Sequence, residues 1–267
     1  MSLSQTVLHE MADRLHDAEK NRIPIEPLTS AYEGFEEENA YSVQNINAAR
    51  AAREGKRLVG YKVGLTSREA QRQFNVFRPD YGHLFDSMAV LEETPIQLSG
   101  LIQPKIEGEI AFILGKDLKG PGVTIVDALN AVDYAVNAVE IVDSRIRDWK
   151  ISAPDTIADN GSSALFVLSG LRKRIESLDL PSIGMAFSQN GEVRVTGAGA
   201  AVMGNPLSAV VFLANELGRM DKSLLAGEVV LSGALSSMLS IAPGDVFACE
   251  MHGLGRLNLR FAGKDAR

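Results

Sequence analysis

Two carboxylates stand two residues apart in an otherwise apolar run, Ile106-Glu107-Gly108-Glu109-Ile110-Ala111-Phe112-Ile113-Leu114. Side chains alternate along an extended strand, so Glu107 and Glu109 share one face about 7 Å apart, while Ile110 and Phe112 belong to the opposite, core-forming face. A third glutamate, Glu140, interrupts a second apolar run, Ala138-Val139-Glu140-Ile141-Val142. Like charges in a buried strand are costly unless a cation or hydrogen bonds offset them. Three oxygen ligands on adjacent strands would make a hard-cation site suited to magnesium, manganese or calcium. The competing reading places both strands at a solvated sheet edge, with the glutamates in water or paired to Lys105 and Arg145. Glu140 weighs against that alternative, because a lone charge inside a five-residue apolar run is hard to explain as wet surface.

Other chemistries find less support. The single cysteine, Cys249, can form neither an internal disulfide nor a thiolate metal site by itself. His9, His16, His83 and His252 are scattered, with no pair at ligand spacing on one helix; His83, close to Asp80, is at most a pocket-lining residue. The glycine-rich Gly197–Gly204 stretch lacks the Lys-Ser/Thr ending of a phosphate loop, which argues against a nucleotide cofactor. Lys and Arg number 27 against 34 Asp and Glu, a net charge of -7 that repels nucleic acid and anionic membranes. No stretch reaches the ~18 uninterrupted apolar residues of a membrane span, and the N-terminus lacks a secretory signal pattern, so a soluble cytoplasmic protein is expected.

The elements that would position these residues follow from periodicity. Leu8, Met11 and Leu15 alternate with charged residues as one stripe of an amphipathic helix, and a second helix is expected over Asn39–Arg53. Leu58–Leu65 reads as a strand, followed by Thr66 and Glu69 at capping-box spacing for a short helix. Ile106–Leu114 and Tyr134–Asp143 are strands flanking a helix that starts at Thr124, with Asp127 as its box partner. Asn190-Gly191 between Met185–Gln189 and Glu192–Thr196 is a type I′ hairpin signal. Asn205 caps a helix with Pro206 at its first position and Leu207, Val210, Val211, Ala214 and Leu217 as its buried stripe. Further strands are expected near Val229, Val246 and Leu257. Helices and strands are segregated, which predicts an α+β fold with a mixed or antiparallel sheet. With 45% apolar residues in 267 and no linker, the chain reads as one catalytic unit. Residues 1–57 would be a mainly helical N-terminal segment and 58–267 a β-rich metal-binding core.

In order along the chain, Gly60-Tyr61-Lys62-Val63-Gly64-Leu65-Thr66, Pro79-Asp80-Tyr81-Gly82, Gln103 to Glu109, Glu140 to Trp149, Asp159-Asn160-Gly161-Ser162 and Gly233-Ala234-Leu235 resemble the fumarylacetoacetate hydrolase superfamily. Within it they are most similar to the bacterial 2-keto-4-pentenoate hydratase branch. The resemblance implies a mixed β-roll of the fumarylacetoacetate hydrolase type and a divalent cofactor, Mg2+ or Mn2+, held by Glu107, Glu109 and Glu140. It implies hydration of 2-hydroxypenta-2,4-dienoate to 4-hydroxy-2-oxopentanoate in the meta-cleavage degradation of aromatic compounds. Lys62 matches the family lysine that partners the carboxylate or enolate oxygen, and Asp80 the acidic loop residue that acts as general acid/base or orients water. Ser162 and Ser232 are implied substrate-binding residues, although a loop serine such as Ser162 can equally cap local backbone.

Homo-oligomers are the family habit, and a pathway aldolase or decarboxylase is an implied partner. The sister activity, 4-oxalocrotonate decarboxylase, shares the acidic trio; the loop after Ser232 and the Ile146-Arg147-Asp148-Trp149 stretch favour the hydratase. A non-catalytic keto-acid-binding subunit is the alternative of another class, and retention of Lys62 and Asp80 argues against it. Gly108, Asn137 and Gly161 depart from the family pattern and are expected to alter pocket shape more than chemistry.

Overall fold

A computed structural model describes residues 3–263. Three helices lead the chain: α1 (Gln5–Asn21), α2 (Leu28–Ala31) and α3 (Glu37–Arg53). Ser4 caps α1 by accepting the Val7 N–H at 3.4 Å, and Leu8, Met11 and Leu15 pack against Ala40 and Val43 of α3 as the sequence periodicity requires. Ile146, Ile157 and Ala158 complete this small core, so the helices are fastened to the segments that follow the Glu140 strand.

Next come β1 (Leu58–Gly64), α4 (Arg68–Phe74), β2 (Asp80–Phe85), β3 (Ala89–Val90) and β4 (Lys105–Leu114). The helix α5 (Ile125–Ala131) then leads into β5 (Val132–Val142), α6 (Ala153–Ala158) and β6 (Ser163–Leu168). The hairpin β7 (Gly184–Gln189) and β8 (Glu192–Ala198) precedes α7 (Leu207–Gly218). Four strands finish the chain: β9 (Val229–Ala234), β10 (Leu239–Ser240), β11 (Val246–Met251) and β12 (Gly255–Arg260).

Most local signals hold. Thr124 and Asp127 form the expected capping box, and Asn190 and Gly191 take the positive φ values, 54° and 84°, that a type I′ turn demands. Asn205 Oδ1 accepts the Leu207 N–H at 3.0 Å, but α7 starts one residue later than expected, at Leu207, with Pro206 in the cap position. Another cap is displaced by a residue: Ser67, not Thr66, caps α4, accepting from Ala70 N at 3.1 Å, while Thr66 is buried.

The larger sheet is mixed, ordered β2-β1-β9-β4-β5-β6-β3, with β10 beside β4; β1 with β9 and β3 with β6 are parallel and the other pairs antiparallel. A four-stranded antiparallel sheet, β12-β11-β7-β8, covers one of its faces. Between them lies the main core, where Phe112, Phe187 and Phe247 are fully buried and each contributes roughly 1.5–3 kcal/mol by leaving water. The fold is α+β, as expected. Among the described residues no helix is long and apolar enough to cross a membrane.

The other face of the larger sheet carries a smaller apolar cluster, Leu84, Ala111, Val136, Ala138, Phe166, Val229 and Leu231. Strand alternation puts the three glutamates, Lys62 and Asp80 on this second face. Glu107 and Glu140 are directly opposite each other across β4 and β5, and Glu109 is two residues along β4 from Glu107. Leu231 is register partner to both Ala111 of β4 and Lys62 of β1, and Gly64 of β1 faces Asp80 of β2. Lys62 and Asp80 therefore join the glutamates above the apolar cluster.

Candidate metal centre and active site

β4 is an interior strand, paired to β9 on one side and β5 on the other, and this decides against the solvated-edge reading. Glu107 is 8% exposed and Glu109 and Glu140 are 0% exposed. The cations that could have neutralised them at an edge are engaged elsewhere. The Lys105 ammonium sits 4.5 Å from the centre of the Trp149 ring, and Arg145 is ion-paired to Asp159.

One carboxylate oxygen from each glutamate can be chosen so that all three lie within 4.8 Å of one another. Oxygens on opposite sides of a calcium ion, bound at about 2.3–2.6 Å, are up to about 5 Å apart, and those around magnesium, bound at about 2.0–2.1 Å, would draw in to about 4.2 Å or less. The hydrogen bonding around them is incomplete in the way a cation site requires. Glu109 Oε2 accepts the Gly233 N–H at 2.7 Å, but Glu109 Oε1 and Glu140 Oε1 have no hydrogen-bond partner among the described residues. Glu140 Oε2 has only Lys62 Nζ, 3.0 Å away but out of line for a hydrogen bond; the ammonium donates instead to the Gly161 carbonyl at 3.0 Å.

Charge balance points the same way. Burial pushes the Glu109 carboxyl well above the usual range, with Glu140 and Glu107 adding to the effect. Burial also raises Glu107, opposed by Lys62 and reinforced by Glu140. Burial alone would lower Lys62, yet Glu140, Glu107, Asp80 and Glu109 together hold its ammonium above its ordinary value. An uncompensated buried ion costs several kcal/mol, more than a buried phenylalanine returns. With all three carboxylates ionised, one ammonium leaves two negative charges uncompensated, which a divalent ion would balance. The donor set, all oxygen with orphaned lone pairs, fits a hard cation.

Asp80 is 2% exposed, with Oδ1 lacking a hydrogen-bond partner among the described residues. Burial pushes its carboxyl up to about 6; Lys62 opposes the change and Glu140 adds to it. A carboxyl titrating there can exchange a proton near neutral pH.

The fumarylacetoacetate (FAA) hydrolase C-terminal family profile matches residues 45–262. The chain belongs to that family. A 2-keto-4-pentenoate hydratase of Paraburkholderia xenovorans strain LB400 is 46% identical over 252 residues, covering 94% of each chain. A 2-hydroxyhexa-2,4-dienoate hydratase of Comamonas testosteroni is 41% identical, covering 95% of this chain and 97% of the other. Among solved structures, 4-oxalocrotonate decarboxylase from Pseudomonas putida G7, complexed with magnesium and adipate, superposes with a TM-score of 0.95 at 36% identity, covering 97% of this chain and 99% of that one. These relatives place the chain in the hydratase branch of the fumarylacetoacetate hydrolase superfamily.

The structure brings Glu107, Glu109, Glu140, Lys62 and Asp80 to one face but treats the two serines differently. Ser232 is fully buried on β9 beside Gly233, its hydroxyl 3.4 Å from the Gly233 carbonyl. The Ser162 hydroxyl turns toward Asp159 and Thr156, at 3.3 Å from each, so its hydrogen bonds are spent within the fold. His83 is on the other face of β2, with its ring 5.4 Å from that of Tyr61; burial lowers its pKa to about 4, and it does not line the site.

Two departures from the family pattern also point away. A Cβ at Gly108 would come within 2.5 Å of Met185 Sδ, and Asn137 donates to the carbonyls of Cys249 and Gly255 at 2.8 and 3.0 Å. Both therefore shape the packing between the two sheets. Gly161 alone of the three borders the site. Sequence reasoning missed the backbone contributors, the Gly233 N–H and the Gly161 carbonyl. Gly233 has φ +104°, a conformation few other residues adopt, and a Cβ there would strike Thr66 Oγ1 at 2.3 Å. A cavity of about 560 Å³ opens behind residues 158–160, between them and α1 and α3, and Glu107, Glu109 and Glu140 do not line it.

Proposed function

We propose that this protein is a metal-dependent hydro-lyase that hydrates 2-hydroxypenta-2,4-dienoate to 4-hydroxy-2-oxopentanoate in aromatic meta-cleavage catabolism. The observation that carries the reading is the buried trio of glutamates with unsatisfied oxygens beside Lys62, in a chain 46% identical to a 2-keto-4-pentenoate hydratase. Glu107, Glu109 and Glu140 would hold Mg2+ or Mn2+. Such an ion supplies Lewis-acid charge to oxygen atoms of a 2-oxo acid. In this reading residues 1–57 are a helical N-terminal segment and 58–267 the metal-binding core of one catalytic unit.

The chain's own residues supply the remainder. Lys62, fixed by Gly161 and Glu140, presents a full positive charge where the 2-oxygen of the substrate becomes negative, and it is desolvated so that this charge acts at close to full strength. The dienol is protonated at C5, water adds at C4 of the resulting enone, and C3 regains a proton. Asp80 moves protons in this sequence, because its carboxyl is buried, without a hydrogen bond at Oδ1 among the described residues, and poised near neutrality. Ser232 remains a candidate for contacting the substrate, whereas Ser162 acts within the fold. The sister decarboxylase reaction would use the same carboxylates, and the higher identity to hydratases than to the solved decarboxylase favours hydration.

The protein should consume 2-hydroxypenta-2,4-dienoate with loss of its dienol absorbance. EDTA should abolish this and lower Tm, and Mg2+ or Mn2+ should restore both. Changing Glu107, Glu109 or Glu140 singly to Gln keeps the volume and removes a charge, so each variant should bind Mn2+ more weakly by calorimetry. Parent affinity in all three, or full turnover in EDTA, would contradict the assignment.

A further inference from the structure

We propose that the left-handed turn Asn160-Gly161-Ser162, clamped by Arg145 and by the Asn160 side chain, is a positioning device that holds the Lys62 ammonium against Glu140. The proposal deepens the function proposed above and rests on it for the role of Lys62. Three consecutive residues here have positive φ: Asn160 at 58°, Gly161 at 61° and Ser162 at 54°. Only glycine takes this conformation freely, and a run of three persists only where the surroundings over-determine it.

The surroundings do so from both ends. The Arg145 guanidinium, 5% exposed, donates to the side chain and carbonyl of Asp159 just before the turn, and to the Ser163 carbonyl, at 3.2 Å, just after it. The Arg145 N–H bonds Asp159 Oδ2 at 3.0 Å, and the Asp143 N–H bonds the Ser162 carbonyl at 2.7 Å. Arg145 follows Glu140 by five residues, so the strand that carries a glutamate of the trio leads directly into the clamp.

The second clamp runs to β2. Asn160 Oδ1 accepts the His83 N–H at 2.7 Å and Asn160 Nδ2 donates to the His83 carbonyl at 2.9 Å, which mimics a strand pairing with one side chain. Gly82 permits this approach, since a Cβ there would lie 2.3 Å from the Asn160 carbonyl oxygen. The product of both clamps is the orientation of one carbonyl, Gly161 O, which is the sole backbone acceptor of Lys62 Nζ among the described residues. A Cβ on Gly161 would come within 2.9 Å of Lys62 Cδ, so the turn also forms the wall along the lysine stem. Asn160 and Arg145 act through Lys62 and touch neither substrate nor the trio in this arrangement; they are positioning residues.

Asn160→Gly keeps the left-handed backbone accessible and removes the clamp, and Asn160→Asp keeps the shape but faces a carboxylate oxygen with the His83 carbonyl. Both should lower kcat by about 10- to 100-fold, the cost of a misplaced group, with KM and Mn2+ affinity within about threefold of the parent. Crystal structures of the magnesium-loaded variants should show Lys62 Nζ displaced from Gly161 O. A Lys62 ammonium that stays in both contacts in both variants would overturn the proposal, whatever the activity. So would kcat within twofold of the parent in a protein whose Lys62→Met variant is inactive. Lack of hydratase activity in the parent would strike at the proposed function instead, leaving the position of Lys62 in the crystals to test the clamp.

Discussion

Lys62→Met should lower kcat for dienoate hydration by about 10²–10³-fold, the usual loss when a preorganised electrostatic donor is removed from a water-excluded site. The side chain that replaces it has similar length and no charge, so the space beside Gly161 stays filled. The effect should fall on kcat more than on KM, because the charge is needed most as negative charge develops on the substrate oxygen. Mn2+ should still bind, since the three glutamates are untouched. The apoprotein should be less stable, because Lys62 is the only ammonium in contact with the trio among the described residues and breaking a buried pair costs about 3–5 kcal/mol. Magnesium should recover much of that loss. A Lys62→Met variant with kcat within threefold of the parent would remove Lys62 from the mechanism.

Asp80→Asn should slow turnover by about 10²–10⁴-fold, the worth of a positioned acid or base, and should stabilise the protein at the same time. Its folded-state carboxyl is raised from 3.8 to about 6 by burial, so the group favours the folded state fully below about pH 4 and that contribution is lost as pH rises through 6. At pH 7.5 the buried charge then opposes folding by about 2–3 kcal/mol, because each tenfold change in proton affinity between the folded and unfolded chain is worth about 1.4 kcal/mol. Asparagine carries no such charge. Thermal melts of the metal-free proteins should show Asp80→Asn above the parent at pH 7.5, with the gap closing toward pH 4. Equal melting temperatures at both pH values, with unimpaired turnover, would mean that Asp80 is not the buried proton-transfer group. A gain in stability together with a loss of rate is the signature of a residue kept for chemistry.

The trio was legible because its signal is local. Glu107 and Glu109 share a strand face by simple alternation, and Glu140 is conspicuous among apolar neighbours. Their direct opposition across β4 and β5 was not legible, since strand order and register arise from pairings between segments about thirty residues apart. For the same reason the wet-edge alternative stayed open until β4 was seen between β5 and β9. The hairpin at Asn190-Gly191 and the cap at Thr124 were readable from turn and capping chemistry carried within four residues.

Arg145 shows where such reasoning stops. Candidate partners near in sequence, Asp143 and Asp148, are bypassed at the side-chain level in favour of Asp159, across a segment that folds back through α6. His83 was close to Asp80 in number but on the opposite face of the same strand. The backbone donors and acceptors, Gly233 N and Gly161 O, carry no side-chain signature at all. Asn160-Gly161 is a turn-favouring dipeptide, but nothing in it specifies the run of left-handed residues that holds Lys62.

The measurement that bears most directly on the central claim is product identity. Magnesium-loaded protein is incubated separately with 2-hydroxypenta-2,4-dienoate and with 4-oxalocrotonate, and products are followed by NMR and by released carbon dioxide. The account predicts 4-hydroxy-2-oxopentanoate from the first and no carbon dioxide from the second. Carbon dioxide released from 4-oxalocrotonate at a rate equal to or above dienoate hydration would contradict it.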